Sequence, residues 1–150
     1  MKALSIRGPW WWFILHLPEH CWKNVENRDW NYLSNHRGET LIHASKEMTK
    51  TEYKEAVHFA RTQCGVLSPL PSFDSLPRGG IVGMVKIIGH VKSHASPWFT
   101  GPTALVLANP WPEPFRPCKG ALGFFEPEID PGWRPSGTAY QGTKVGGRKG

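Results

Sequence analysis

The sequence predicts an α+β protein built as a small mixed β-barrel of about six strands with two principal helices. Short apolar stretches of strand length recur along the chain, separated by turns rich in Gly and Pro. Only two stretches have helical character, and both lie within residues 1–65. The sequence shows no long alternation of strand and helix, which argues against a doubly wound parallel sheet. A chain of 150 residues is long enough to bury one proper core.

The first predicted elements are a strand and a buried helix. Residues 3–7 alternate in polarity as a strand does, and Gly8-Pro9 then opens a helix over residues 10–17. This helix is apolar nearly all round, so most of it must be buried. Three consecutive tryptophans at positions 10–12 cannot all face one way, because neighbours on a helix are about 100° apart. At least one should therefore point away from the core, toward a pocket. The alternative is that all three pack between helix and sheet.

The rest of the chain predicts one more helix and the remaining strands. Thr49 and Glu52 form a capping box, and Gly65 marks the helix end. Glycines inside a long strand indicate bulges or strong curvature. The predicted elements are a strand over 40–44, a helix over 49–64, a loop over 66–78, and strands over 80–92, 103–108 and 121–126. Residues 109–120 carry four prolines, which excludes a central strand there.

The net charge of +6 is concentrated at the carboxyl end. Residues 131–150 contain four basic and no acidic residues, so the preceding 130 residues carry 14 basic and 12 acidic groups. We therefore expect a domain over residues 1–130 and a flexible basic tail, rich in Gly and Pro, over residues 131–150. Basicity alone is weak support for a nucleic-acid-binding face.

Cysteine usage predicts a cytoplasmic protein. Cys21, Cys64 and Cys118 stand far apart with no C-x-x-C pair, which suits a reducing compartment. We expect no metal and no cofactor, because no two candidate ligands have zinc-finger spacing. No stretch approaches the length of a membrane span, so we expect no membrane association. The sequence gives no indication of the oligomeric state.

The stretch from Lys23 to Trp30 carries the strongest functional pattern. In an extended segment Glu26 and Arg28 project from one face, and Lys23 joins them if the chain turns before Glu26. Lys and Arg bind phosphate, Glu accepts a hydrogen bond from a base amine, and Trp stacks on a base. Since charges in a cleft commonly serve ligands, we expect Lys23 and Arg28 to be dispensable for folding. The alternative is a surface strand with an exposed ion pair, which contributes little.

Three residues near the end of the predicted strand 40–44 are also notable. His43 alternates with Leu41, which favours a buried, hydrogen-bonded imidazole over a catalytic one. Ser45 and Lys46 follow the strand, where loops usually present functional groups.

Several motifs together resemble the ASCH domain family, a branch of the PUA-like superfamily. They cover residues 3–125 and are Leu4-Ser5-Ile6-Arg7-x-Pro9-Trp10, Lys23-x-x-Glu26-Asn27-Arg28-x-Trp30, Leu41-Ile42-His43-Ala44-Ser45-Lys46, Leu76-Pro77-Arg78-Gly79-x-Ile81-Val82-Gly83, Ser96-Pro97-Trp98-Phe99-x-Gly101-Pro102, Leu107-Ala108-Asn109-Pro110 and Lys119-Gly120-x-Leu122-Gly123-Phe124. The resemblance implies a β-barrel with a cleft beside the first helix, and binding of RNA or single-stranded nucleic acid. Cys21 stands at the Gly of the family's G-x-K-x-x-E-x-R motif, and Gly8 stands where Gln is frequent, which alters the expected cleft.

We therefore expect the cleft to bind RNA, single-stranded nucleic acid, or a modified nucleoside or nucleotide. The residues expected to contact it are Arg7, Trp10, Lys23, Glu26, Arg28, Trp30, Ser45 and Lys46. The alternative is a hydrolase that uses Lys23 and Glu26, either a ribonuclease or an amidohydrolase of the acetylated-cytidine type. The family's amidohydrolases carry Thr three residues after the Lys, and Glu26 stands there instead. The attacking group would then come from Ser5, Ser45 or water. A protein-interaction adaptor is a third interpretation.

Overall fold

The computed structural model of the chain describes residues 1–29 and 35–137. Within them, the α-helices are α1 (Trp10–Leu15) and α2 (Lys50–Gln63), and a short 3-10 helix spans Phe73–Ser75. The strands are β1 (Ala3–Ile6), β2 (Val25–Arg28), β3 (Gly38–Ala44), β4 (Gly80–Val91), β5 (Thr103–Pro117) and β6 (Phe124–Phe125). This arrangement confirms the predicted α+β class, because the six strands form one mixed sheet curled into a half-barrel that carries two helices.

The sheet has the strand order β2-β5-β4-β3-β1-β6. Strands β1 and β3 run parallel, and the other neighbouring pairs are antiparallel. The pairing of β4 with β5 shifts register at three places, between Ile81 and Gly83, between Met84 and Lys86, and between Ile87 and Gly89. These irregularities confirm the curvature predicted from the glycines of β4, since a bulge bends a strand and increases its twist.

Strand β5 is longer than the sequence predicted. We expected it to end at residue 108, but it continues to Pro117 through the proline-containing segment. Strand β2 pairs only with Thr103–Val106 of β5, and from there onward β4 is the only described strand that pairs with β5. The proline half is therefore an edge strand in the described sheet. Edge positions tolerate proline because the missing N–H would have faced away from the ladder.

Helix α1 packs directly on one face of the sheet. A Cβ atom added to Gly83 would lie 2.5 Å from Cδ1 of Leu15, so the helix touches the backbone of β4. Apolar residues of α1, including Trp11 and Ile14, are buried against alternate residues of the strands, such as Ile42 and Leu105. The helix ends two residues earlier than predicted, at Leu15.

Helix α2 is the element that the sequence predicted best. Thr49 accepts a hydrogen bond from the backbone N–H of Glu52, whose side chain accepts one from the N–H of Thr49, so both halves of the capping box form. Ala56 and Ala60 face a second cluster of buried residues, which also contains Phe13 of α1 and Trp98 of the loop before β5. The two helices are thereby joined on one side of the sheet.

The opposite face of the sheet is covered by residues that we expected to belong to a flexible tail. Glu113 of β5 accepts hydrogen bonds from the backbone and hydroxyl of Ser136 and from the backbone of Gly137. Trp133 packs against a third buried cluster, which includes Met84. Residues 131–137 thus contact the sheet, whereas the rest of the predicted tail lies outside the described residues. No helix in the described part of the chain has the length and apolar character needed to cross a membrane.

Candidate functional site

The charged residues of the predicted motif converge on Glu26. Lys23 donates a hydrogen bond from Nζ to Oε1 of Glu26 at 2.7 Å and a second to the carbonyl of Val25 at 2.6 Å. Nη2 of Arg28 lies 3.2 Å from the other carboxylate oxygen of Glu26. One carboxylate therefore holds two cations, which is the arrangement that the sequence allowed on condition that the chain turns before Glu26.

The convergence requires the turn that the sequence suggested. Strand β2 begins only at Val25, and Lys23 precedes it in an irregular segment that leads away from α1. The backbone N–H of Lys23 donates to the carbonyl of Phe13, which ties this segment to the helix. Because Lys23 lies outside the strand, its side chain escapes the alternation of β2 and reaches the carboxylate of Glu26.

Burial sets the electrostatics of this cluster. Burial raises the pKa of the Glu26 carboxyl, but Lys23 and Arg28 together outweigh it and hold that pKa below its usual value. Burial lowers the pKa of the Lys23 ammonium below its usual value, and Glu26, which raises it, compensates only in part. Glu26 is thus ionised at neutral pH. The Lys23 side chain is 2% exposed, so almost none of it faces solvent. This burial gives Lys23 a structural role that the sequence analysis did not anticipate.

Arg28 connects two strands that are far apart in the sheet order. Strands β2 and β1 are separated by three strands in the sheet order, yet Nη2 of Arg28 donates to the backbone carbonyl of Ser5 in β1 at 2.9 Å. Nε of Arg28 is buried and has no hydrogen-bond partner among the described residues. A buried donor without a partner is costly, because the hydrogen bond that it could make to water is lost on burial.

Two cavities adjoin this cluster and share the wall formed by Trp10, Glu26 and Asn27. The first, which we call the aromatic cavity, has a volume of about 410 Å³. Its lining includes Trp10, Phe59 and Trp98 together with the acidic residues Glu26, Glu52 and Glu55. The second, which we call the basic cavity, has a volume of about 690 Å³. Its lining includes Arg7, Arg28, Lys46 and Lys119, which outnumber the acidic residues Glu26 and Glu47.

The three tryptophans of α1 separate as predicted. Trp11 is buried in the core, whereas Trp10 and Trp12 are only partly buried. Trp10 lines both cavities, with Nζ of Lys23 5.7 Å from the centre of its ring. Trp12 stacks on His16 at a ring separation of 5.2 Å, away from both cavities. The structure therefore selects Trp10 as the tryptophan that faces the cleft.

Asn27 lines both cavities, although the sequence analysis did not select it. Its side-chain nitrogen donates to the carbonyl of Trp98, and its oxygen accepts from the backbone N–H groups of Thr100 and Gly101. These bonds hold the loop before β5 against β2, which places Trp98 and Thr100 in the wall of the aromatic cavity. The motif Ser96-Pro97-Trp98 was visible in the sequence, but nothing there indicated that Asn27 would bind it.

The other predicted contact residues divide between the cavity rim and its surroundings. Ser45 and Lys46 line the basic cavity, as does His43, which is 1% exposed and hydrogen-bonded as predicted. Arg7 lines the same cavity, but Nη1 of its guanidinium donates to both carboxylate oxygens of Glu52. Trp30 lies outside the described residues. Among the described residues, no group of three or more His, Cys, Asp or Glu side chains is arranged to hold a metal ion.

The predicted family membership rests on the sequence motifs alone. No family model matches this chain, and no curated protein matches it.

Proposed function

We propose that the cleft binds RNA or single-stranded nucleic acid, with a nucleobase in the aromatic cavity and the sugar-phosphate backbone across the basic cavity. The observation that carries this proposal is the shared wall of Trp10, Glu26 and Asn27, which sets a flat aromatic surface directly beside a cluster of cations. A nucleotide has two parts that match these surfaces, since its base is flat and uncharged and its phosphate is anionic. The resemblance to the ASCH domain family supports the same proposal.

The charge of each cavity supports this orientation. Four cations against two carboxylates make the basic cavity attractive to phosphate, which binds Arg and Lys through charge-assisted hydrogen bonds. Three carboxylates against Lys23 make the aromatic cavity repel phosphate. Glu26 is ionised and stands between the two, where its oxygens can accept hydrogen bonds from the exocyclic amine of a base.

Trp10 supplies the stacking surface in this proposal. It is partly exposed, and it is braced edge-on by Phe13, Phe59 and Trp98 at ring separations of 5.8, 6.1 and 6.4 Å. A ring held this firmly loses little conformational entropy when a base stacks on it. Stacking of one base on an aromatic side chain contributes about 1–3 kcal/mol and tolerates any base.

The hydrogen bonds and the burial of Lys23 favour binding over a hydrolase that would use Lys23 and Glu26. Nζ of Lys23 is occupied by Glu26 and by the carbonyl of Val25, and its side chain is almost fully buried. A general base must reach the proton that it removes, within about 2.6–3.2 Å or through one water. Because Nζ of Lys23 is already bonded to Glu26 and to the Val25 carbonyl, its role in this proposal is to hold Glu26 in place. A cytoplasmic location, expected from the cysteines, is part of the same proposal.

The test compares two tryptophans on one short helix. We expect Trp10→Ala to weaken binding of a fluorescent single-stranded RNA by about 5- to 150-fold, which corresponds to the loss of one stacked base. Trp12→Ala is the matched control, because Trp12 is also partly buried but lines neither cavity. Equal affinity of the two variants in a titration at fixed salt would contradict the proposal.

The basic cavity is tested through its salt dependence. We expect Lys119→Gln to lower the slope of log K against log salt by about 0.7 on single strands for one lost phosphate contact. Lys86→Gln, an exposed lysine on β4 outside the cavity, should leave that slope unchanged. If both variants lowered the slope equally, the charge effect would be general to the surface and the basic cavity would not be the phosphate site.

A further inference from the structure

The basic cavity contains a serine and a histidine that the nucleic-acid proposal does not use. Ser5 and His43 are partners on the neighbouring strands β1 and β3. Oγ of Ser5 lies 3.0 Å from Nδ1 of His43, and both residues line the cavity. Ser5 is only half-buried and lines the cavity, whereas the imidazole of His43 is covered.

The hydrogen bonds of His43 fix its tautomer. Nε2 lies 2.6 Å from the backbone carbonyl of Cys118. A carbonyl oxygen can only accept, so Nε2 must carry the proton of the neutral ring. Nδ1 is then unprotonated and accepts the hydroxyl proton of Ser5. This is the arrangement that a serine nucleophile needs, with a base at hydrogen-bond distance and a third group that orients the base.

The surroundings hold the imidazole neutral and fixed. Burial lowers the pKa of His43 below its usual value, and the bond to the Cys118 carbonyl, which raises it, compensates only in part. A Cβ atom added to Gly120 would lie 2.5 Å from Cε1 of the imidazole, so the backbone at Gly120 lies directly against the ring. Phe125 packs edge-on at a ring separation of 5.7 Å. Both contacts prevent the ring from turning away from Ser5.

Arg28 provides a candidate oxyanion donor beside the serine. Its Nη2 donates to the backbone carbonyl of Ser5, which places the guanidinium next to this residue, and its buried Nε has no partner among the described residues. A fixed cationic donor stabilises the negative charge that develops on a carbonyl oxygen during attack. Arg7, Lys46 and Lys119 around the cavity favour substrates with a further negative charge.

From this geometry we infer that Ser5 is a nucleophile activated by His43, and that the basic cavity hydrolyses carboxylic esters that carry an anionic group. Oγ of Ser5 attacks the carbonyl carbon while His43 Nδ1 takes the hydroxyl proton. The bond to the leaving alcohol breaks, and the alcohol takes that proton from His43. Water then attacks the acyl-serine with His43 as base, which releases the carboxylic acid and restores Ser5. This inference does not rest on nucleic-acid binding, because it concerns only the groups around Ser5.

Covalent labelling tests the nucleophile directly. An alkyl fluorophosphonate forms a bond from Ser5 Oγ to phosphorus as fluoride leaves, and the proton passes to His43. We expect intact-mass and peptide analysis to find one label, located on Ser5. Ser5→Ala should abolish it, whereas Ser75→Ala should retain it, because Ser75 only bonds to the carbonyl of Ser72 in a distant turn. Absence of label on Ser5 in the folded native chain would overturn the inference.

The pH profile separates an activated serine from one that is merely exposed. With His43 neutral, the labelling rate should stay level from pH 7 to pH 9 and fall only under acidic conditions. A serine that must lose its proton to solvent would react about tenfold faster per pH unit throughout that range. That second profile would overturn the role of His43 without needing a His43 variant, whose fold is at risk because the ring is buried.

Substrate preference tests the role of the surrounding cations. We expect the 4-nitrophenyl monoester of succinate, an anion, to be hydrolysed several-fold faster than 4-nitrophenyl acetate at low salt, with the difference shrinking as salt is added. Ser5→Ala should remove turnover of both esters. Equal turnover of the two esters would overturn the preference for anionic substrates, and turnover that survives in Ser5→Ala would overturn the nucleophile.

Discussion

Two ion pairs beside the cleft have the same distance between nitrogen and oxygen, but one pair is buried and the other is exposed. Lys23 and Glu26 meet at 2.7 Å with side chains that are 2% and 10% exposed. Arg7 and Glu52 also meet at 2.7 Å, but their side chains are 49% and 38% exposed. Distance therefore cannot distinguish the two pairs, whereas burial can. An interaction between charges strengthens as the surrounding dielectric constant falls, and the cost of leaving one charge unpaired rises with it.

The pKa values of the two glutamates are lowered by different groups. The pKa of Glu52 is lowered first by the hydrogen bond from the backbone of Thr49 in the capping box and only further by Arg7. The pKa of Glu26 is lowered by Lys23 and Arg28 against the effect of its own burial. Glu52 would keep a favourable partner without Arg7, but Glu26 depends on its cations.

The largest expected effect comes from removing one buried partner. We expect Lys23→Met to lower the free energy of unfolding by about 3–5 kcal/mol, because it leaves the carboxylate of Glu26 buried with Arg28 as its remaining cation. Chemical denaturation measures this change, and Lys54→Met on the exposed side of α2 serves as control. A loss below 1 kcal/mol would mean that solvent reaches Glu26 and that the buried pair behaves like the exposed one.

Replacing both buried partners should cost less than replacing one. In Lys23→Met with Glu26→Gln, no unpaired carboxylate remains, and we expect at least half of the stability lost in Lys23→Met to return. The double-mutant cycle gives the coupling energy of the pair directly. Additive losses in the two single variants would show that their charges do not interact.

Acid should affect the two pairs unequally. The pKa of Glu26 is lower in the folded than in the unfolded chain, so its ionisation stabilises the fold above the unfolded value near 4.5. That stability is lost as the pH falls from there through the folded pKa. We expect Glu26→Gln to flatten the fall in stability below pH 4.5 more than Glu52→Gln does. Equal flattening in a series of denaturation curves would contradict the difference in burial.

The smallest effect belongs to the exposed pair. We expect Arg7→Gln to change the free energy of unfolding by no more than about 1 kcal/mol, and added salt should reduce even that. The measurement is the same denaturation experiment at low and high salt. A loss as large as that of Lys23→Met would show that the contact between β1 and α2 holds the fold together.

Local sequence patterns were sufficient where neighbouring residues decide the outcome. The capping box at Thr49 forms as predicted, because both partners lie within one turn of helix. The bulges near Gly83 and Gly89 follow from residues that weaken a regular strand. The sequence allowed the convergence of Lys23 and Glu26 only if the chain turned between them, and the structure contains that turn.

Residues distant in the sequence determine the structure of the proline segment and of residues 131–137. Prolines at alternate positions of β5 are compatible with a strand only because the described sheet pairs that half on one side, which no local pattern states. Glu113 accepts hydrogen bonds from Ser136 and Gly137, which lie 23 and 24 residues further along the chain. A composition rich in Gly and Pro does not reveal such a partner.

By itself the sequence determined the class of fold, the charged motif and the buried, hydrogen-bonded state of His43. Only the tertiary structure decided that Arg28 reaches Ser5 across the curled sheet and that His43 accepts from the same serine. It also decided that Trp10 and Glu26 stand between two cavities of opposite charge. The physical reason is that hydrogen bonds and cavities depend on distances of a few ångströms between residues far apart in the chain. Those distances follow from the strand order, register and curvature of the sheet, to which every strand contributes.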